Sequence, residues 1–273
     1  MTTQSKPYII VLGNEKGGTG KSTAAMHLVT SLLHQGYTVG SLDVDARQGT
    51  LSRYVENRKN LIQQEGMALS MPRHYPIHRS TLESVAKAQE EEQNRLIQAI
   101  QLLQDCQFII IDTPGSDTYL SRLAHSYADT LITPLNDSFI DLDMLVRVTP
   151  DSHDILRPST YSEMVWEQKK QRALRDGGKI DWIVMRNRLS SIYSRNKEEM
   201  DRVLQALSRR IGFRLVPGFG ERVIFKELFL NGLTVLDMRQ TNTPMTLSHV
   251  AAKQELNALI DKIDLPFQMK GAA

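Results

Sequence analysis

The segment Gly17-Gly18-Thr19-Gly20-Lys21-Ser22-Thr23 has the residue types and spacing to hold a polyphosphate. Glycines let backbone N–H groups approach phosphate oxygens without a Cβ in the way. Lys21 is placed to reach the outer phosphates, and the Ser22 hydroxyl to ligate magnesium. Two acidic positions complete such a site. Asp43 and Asp45 follow the run Ser41-Leu42, and Asp112 follows Ile109-Ile110-Ile111. If both runs are strands of one parallel sheet, their carboxylates emerge at strand C-termini beside the glycine loop, where a magnesium nucleotide must sit. Asp43 would assist the metal through water, since magnesium keeps several of its waters. Asp45 is the residue expected to orient and polarise an attacking water. Phosphoryl transfer depends mainly on positioning and charge neutralisation, so one such carboxylate, lysines and a metal are sufficient machinery.

The elements that would carry these residues alternate along the chain. Short, often β-branched runs at Tyr8–Leu12, Thr38–Leu42, Phe108–Ile111, Thr130–Thr133, Trp182–Met185 and Phe213–Val216 read as strands buried on both faces. Between the first two, Ala25, Leu28, Val29, Leu32 and Leu33 recur at helical spacing within Ser22 to Gln35, and Gly36 follows as the stop. The pattern predicts an α/β fold with a doubly wound, mostly parallel sheet flanked by helices on both faces. Gly66 to Pro76 reads as irregular. Ser80 to Asp105 reads as a helix whose solvated face carries Glu90, Glu91 and Glu92. A basic helix is expected from about Arg195 to Arg210, with Met200, Val203, Leu204, Leu207 and Ile211 as its apolar stripe. No repeat or linker divides residues 1–273, which are expected to form one domain, with a peripheral helical insertion around 150–178.

Composition narrows the function classes. With 273 residues, 41% of them hydrophobic, the chain can bury a large core without staples. A lone Cys106 cannot form an internal disulfide, which points to a reducing, cytoplasmic setting. No signal-peptide core and no apolar stretch of membrane-spanning length is present, so no membrane partner is expected. His74 and His78 have the spacing of a zinc pair, but Pro76 between them argues against the helix that would align them. The net charge is only +2, yet residues 157–226 hold 16 Lys and Arg against 8 Asp and Glu.

The loop departs from the common phosphate-binding pattern, which has glycine where this chain has Glu15. With Lys16 ahead of the glycines it resembles the deviant Walker A motif of P-loop NTPases. In that group the extra lysine crosses a dimer interface to the partner's nucleotide. Asp112 then resembles the Walker B aspartate that holds the magnesium shell. Gly13-Asn14-Glu15-Lys16, Asp43 to Gln48, Asp112 to Gly115, Thr133 to Phe139, Arg186-Asn187-Arg188 and Arg222 to Leu236 together resemble MipZ, the division-plane positioning branch of the ParA/MinD ATPases. The resemblance covers about residues 8 to 260. It implies an ATP-sandwich homodimer with magnesium and slow hydrolysis. It also implies a ParB-like centromere-binding partner, inhibition of the tubulin-like FtsZ, and non-specific DNA binding by a nucleoid-associated dimer. Asn187 matches the family's adenine-reading position.

The charge excess and the resemblance together mark Arg195, Lys197, Arg202, Arg209, Arg210 and Arg222 as expected DNA contacts, since phosphate neutralisation dominates non-specific binding. Glu198, Glu199 and Asp201 interrupt that patch. Related classes fare worse. Iron–sulfur carriers with the same loop need paired cysteines, a MinD-like membrane cycler ends in a basic amphipathic helix, and a bacterial tyrosine kinase carries a tyrosine-rich tail. A ParA-type partition ATPase and a metabolic P-loop ligase remain as alternatives.

Overall fold

The structure is a computed structural model that describes residues 6–149, 155–188, 195–240 and 245–265. Among these residues seven strands form one sheet in which every neighbour runs parallel: β1 (Tyr8–Leu12), β2 (Val39–Asp43), β3 (Arg73–Pro76), β4 (Phe108–Asp112), β5 (Thr130–Asn136), and, beyond a two-stranded antiparallel ribbon of β6 (Val146–Val148) and β7 (Ile155–Pro158), β8 (Asp181–Asn187) and β9 (Arg214–Pro217). The spatial order is β3-β2-β4-β1-β5-β8-β9. β1 sits in the middle, and the chain winds outward from it in both directions.

Alternation along the strands builds two cores. Ile9, Val11, Ile109, Ile111 and Leu131 face one layer, while Ile10, Leu12, Phe108, Ile110 and Ile132 face the other. Helices α1 (Lys21–His34), α2 (Thr50–Glu65), α8 (Ile224–Leu230) and α9 (Leu247–Ile263) cover the second face. The first face is covered by α3 (Val85–Leu102), α4 (Tyr119–Tyr127), α6 (Thr160–Asp176) and α7 (Arg195–Leu207). A single turn, α5 (Phe139–Leu142), follows β5. The stripe of α7 is buried as its spacing implied, and a π-helical turn at Ser208–Gly212 brings Ile211 into the same core. α9 docks through Ala252, Leu256, Leu259, Ile260 and Ile263.

Three elements depart from the sequence reading. β3 lies in the stretch read as irregular; it is an edge strand containing Pro76 and is defined by its pairing with β2. Within the stretch read as a peripheral insertion, α6 sends Tyr161 and Val165 into the core, exposed by 1% and 0%. Glu92 is buried rather than solvated, because its Oε1 accepts the Ser80 amide at 2.9 Å and Glu91 takes the Ser80 hydroxyl. Those bonds pin the loop after β3, whose His78, Arg79, Ser80 and Thr81 wall the cavity at the sheet's C-terminal edge. Among the described residues no helix is long and apolar enough to cross a membrane.

Candidate functional site

The glycine loop leaves central β1 and enters α1, so its amides gather at the positive end of a helix dipole. Gly18 and Gly20 have φ of 73° and 91°, the left-handed region that glycine adopts without strain. A Cβ at Gly20 would lie 2.2 Å from Asn187 Nδ2, and one at Gly115 would lie 2.8 Å from the Gly17 nitrogen. The loop is therefore clasped between the ends of β8 and β4. It lines a cavity of about 1190 Å³ together with residues 44–48, 78–81 and 113–116.

The acidic groups converge there as the strand register dictates. Asp43 and Asp112 are the last residues of β2 and β4 and are directly paired across the ladder. Ser22 Oγ donates to Asp112 Oδ2 at 2.5 Å, while Asp112 Oδ1 is buried and has no partner among the described residues. Burial, reinforced by the Asp43 charge, pushes the Asp112 carboxyl up to about 7. Burial and then the same Asp43 charge raise Asp45, which lines the cavity. Burial lowers the Lys21 ammonium against the pull of Asp112 and Asp45, and its Nζ donates to the Lys16 carbonyl at 3.0 Å. An orphaned carboxylate oxygen, a serine hydroxyl and a lysine beside open amides fit a magnesium-bound polyphosphate. A divalent cation would relieve the electrostatic burden that the buried Asp112 carboxylate carries.

Asp43, expected to assist the metal through water, lies at the end of β2 beside Asp112. It has no solvent exposure, and its oxygens are engaged by the Asp45 amide and by Ser52. Lys16 is half-exposed and its ammonium is bonded to the buried Asp141 of α5 in the same chain. Its amide donates to Asn14 Oδ1 at 2.6 Å. Asn187, expected at the base, donates from Nδ2 to the Thr19 carbonyl at 2.7 Å and borders a second cavity of about 700 Å³. Phe219, Phe225, Phe229 and Val223 give that cavity an apolar wall, suited to a flat ring.

Among the described residues the expected DNA contacts do not form one patch. Arg195 and Lys197 begin α7, but their side chains lie outside the described residues. Arg202 is exposed and ion-paired with Glu199 one turn away. Arg209 and Arg210 are exposed on the π turn before β9, at the end of the sheet opposite the glycine loop. Arg222 follows β9 and crosses to the other helical layer, donating from Nη2 to Glu255 of α9 at 2.6 Å. It borders the apolar cavity instead of extending the basic helix.

Two supports of the site go beyond the sequence reading, which left Tyr161 aside and weighed His74 only as half of a zinc pair. Tyr161 donates to the Gly13 carbonyl at 2.8 Å and lies 2.9 Å from Thr133 Oγ1, which accepts from Trp182 Nε1 at 3.0 Å. That chain ties α6 and β8 to the residue where β1 turns into the loop. His74 forms the other support, through Ser41 and Ser52. No local pattern marks Tyr161, which lies in the first turn of α6, and the spacing of His74 to His78 points to a metal instead of to the two serines.

Sheet order, glycine loop and paired strand-end carboxylates define a P-loop ATPase of the ParA/MinD type. The family model described as ATPase MipZ matches residues 8–267, and the chain belongs to the MipZ ATPase family. Solved structures of the same fold include an ATP complex of McdA from Cyanothece, at 19% identity, TM-score 0.61, and coverage of 97% of this chain and 100% of that one. A plasmid partition protein from Borrelia burgdorferi B31 bound to AMPPNP matches at 16% identity and TM-score 0.59, covering 94% and 100%. MinD in the MinC:MinD cell division complex of Aquifex aeolicus matches at 15% identity and TM-score 0.54, covering 96% and 98%. None of the curated protein sequences matches significantly.

Proposed function

We propose that the chain is an ATP-driven dimerising switch that places the division site relative to the chromosome. The observation that carries the switch is Lys16: it directly precedes the glycine cradle, and its half-exposed side chain reaches Asp141 instead of joining the residues that line the cavity. A lysine so placed can leave Asp141 and meet a phosphate held by a second copy. Magnesium, when bound, would neutralise the phosphate charge. Ser22 and Asp112 would hold it, Lys21 and the loop amides would bind the phosphates, and Asp45 would orient the attacking water. Asn187 and the apolar cavity would take the adenine.

A ParB-like protein, FtsZ and DNA are the partners that family membership supports. For DNA, the exposed Arg202, Arg209 and Arg210 are the groups in the described structure that still favour the reading, with Arg195 and Lys197 at the other end of α7. Two copies would multiply these weak contacts by avidity. The test is retention on random-sequence duplex at about 50 and 200 mM salt, with and without a non-hydrolysable ATP analogue. Nucleotide-dependent, salt-sensitive binding is expected. Binding as tight without nucleotide would refute the switch. For hydrolysis, Asp45→Ala should bind ATP, turn it over far more slowly and accumulate as dimers by light scattering. Ordinary turnover would remove Asp45 from its role.

A further inference from the structure

The Asp43 carboxylate is held by an unusually complete set of donors. Its Oδ1 accepts the Asp45 amide at 3.0 Å, and its Oδ2 accepts both the amide and the hydroxyl of Ser52 at 2.9 Å. The hydroxyl has one proton, and Asp43 takes it. The 2.9 Å contact between Ser52 Oγ and His74 Nε2 therefore has the ring donating and the serine accepting. Burial lowers His74, favouring the neutral ring, so Nδ1 must accept, and Ser41 Oγ stands 2.9 Å away as the donor. The polarity runs one way, from Ser41 through His74 and Ser52 to Asp43.

Backbone geometry explains how the chain of bonds assembles. The register pairs Ser41 with His74 across β2 and β3, and Ser41 and Asp43 share a face because side chains alternate along a strand. The first turn of α2 then supplies Ser52. Donors are needed at this point because Asp112 is paired with Asp43 on the neighbouring strand, and like charges at that spacing repel.

We propose that His74 and Ser52 are positioning residues for ATP hydrolysis. They fix the rotation of the Asp43 carboxylate, and through its bond to the Asp45 amide they fix the turn that carries Asp45. The proposal rests on the reading of Asp45 as the group that orients water.

The experiment uses the full chain with His74→Phe, His74→Gln, Ser52→Ala and Asp45→Ala, each checked for cooperative melting. Turnover, ATP affinity and amide exchange of Asp45 are measured separately. His74→Phe and Ser52→Ala should lower kcat about 10- to 100-fold, the usual effect of removing an outer-shell partner, with ATP affinity unchanged. The Asp45 amide should exchange faster in the nucleotide-free protein. His74→Gln places an amide donor near the position of Nε2 and should recover most of the rate. Wild-type kcat in folded His74→Phe and Ser52→Ala would overturn the proposal, as would unchanged Asp45 exchange or a glutamine variant no better than phenylalanine. If Asp45→Ala alone turns over ATP normally, the catalytic reading of Asp45 fails, and the exchange data then separately decide whether the network holds the turn.

Discussion

Replacing Asp112 with asparagine should stabilise the nucleotide-free protein while weakening its hold on magnesium nucleotide. Asp112 is 2% exposed and faces Asp43, and its carboxyl is raised from 3.8 to about 7. The folded value lies above the unfolded one, so the unfolded chain loses its proton first as pH rises. Native stability therefore falls between about pH 4 and 7 and is level above that. A carboxyl raised this far carries a penalty on the order of 4 kcal/mol once it is ionised in the folded protein. Asparagine keeps an acceptor for Ser22 but puts an amide where Asp112 Oδ1 has no partner among the described residues, which costs about 1–3 kcal/mol. The charge effect wins by about 2 kcal/mol, or about 4–8 °C in melting temperature. Thermal unfolding of both proteins at about pH 8 and pH 5 reads the difference, which should nearly vanish at the lower pH because most of the charge penalty is then absent. A variant no more stable than the parent at the higher pH, or a gap independent of pH, would refute the reasoning.

Lys16→Ala should still bind nucleotide, since Lys21 and the amides remain, but should stay monomeric by light scattering with a non-hydrolysable ATP analogue. Tyr161→Phe leaves the Gly13 carbonyl without its hydroxyl donor and should cost about 1–3 kcal/mol in denaturant unfolding. Asp237→Asn breaks a buried bidentate pair with Arg58, whose bonds are 2.7 and 2.8 Å, and should destabilise by about 3–5 kcal/mol in the same assay. The arginine and His34 hold the Asp237 carboxyl below its usual range against burial, so its contribution is present at neutral pH and is lost on acidification.

The parts of the site legible in the sequence are those whose chemistry is local. Glycine spacing gave the loop, and the runs ending in Asp43 and Asp112 gave both carboxylates, because a strand buried on two faces must be continuously apolar until it surfaces. β3 was not legible because Arg73-His74-Tyr75-Pro76 carries no such run; its partner β2 makes it a strand. The same non-local cause hides the role of His74, the burial of Glu92 under Ser80, and the link from Tyr161 to Gly13. Arg222 misled for a related reason. Proximity in sequence to the basic segment says nothing about which side of the sheet a side chain reaches after β9.

The central position of β1 bears on synthesis. Its ladder partners are β4 and β5, and its loop is clasped by Gly115 and Asn187, so a nascent chain that has just made Lys16 to Thr23 holds a glycine-rich segment with no walls. Ribosomes add roughly 5–20 residues per second, so the wait from Thr23 to Asn187 is on the order of 10–30 s. Long-range parallel pairing is also slow to close. Nucleotide cannot guide the early steps of folding; it is a ligand of the nearly finished domain, and ATP bound at the end would select chains whose distant strands have already found their register.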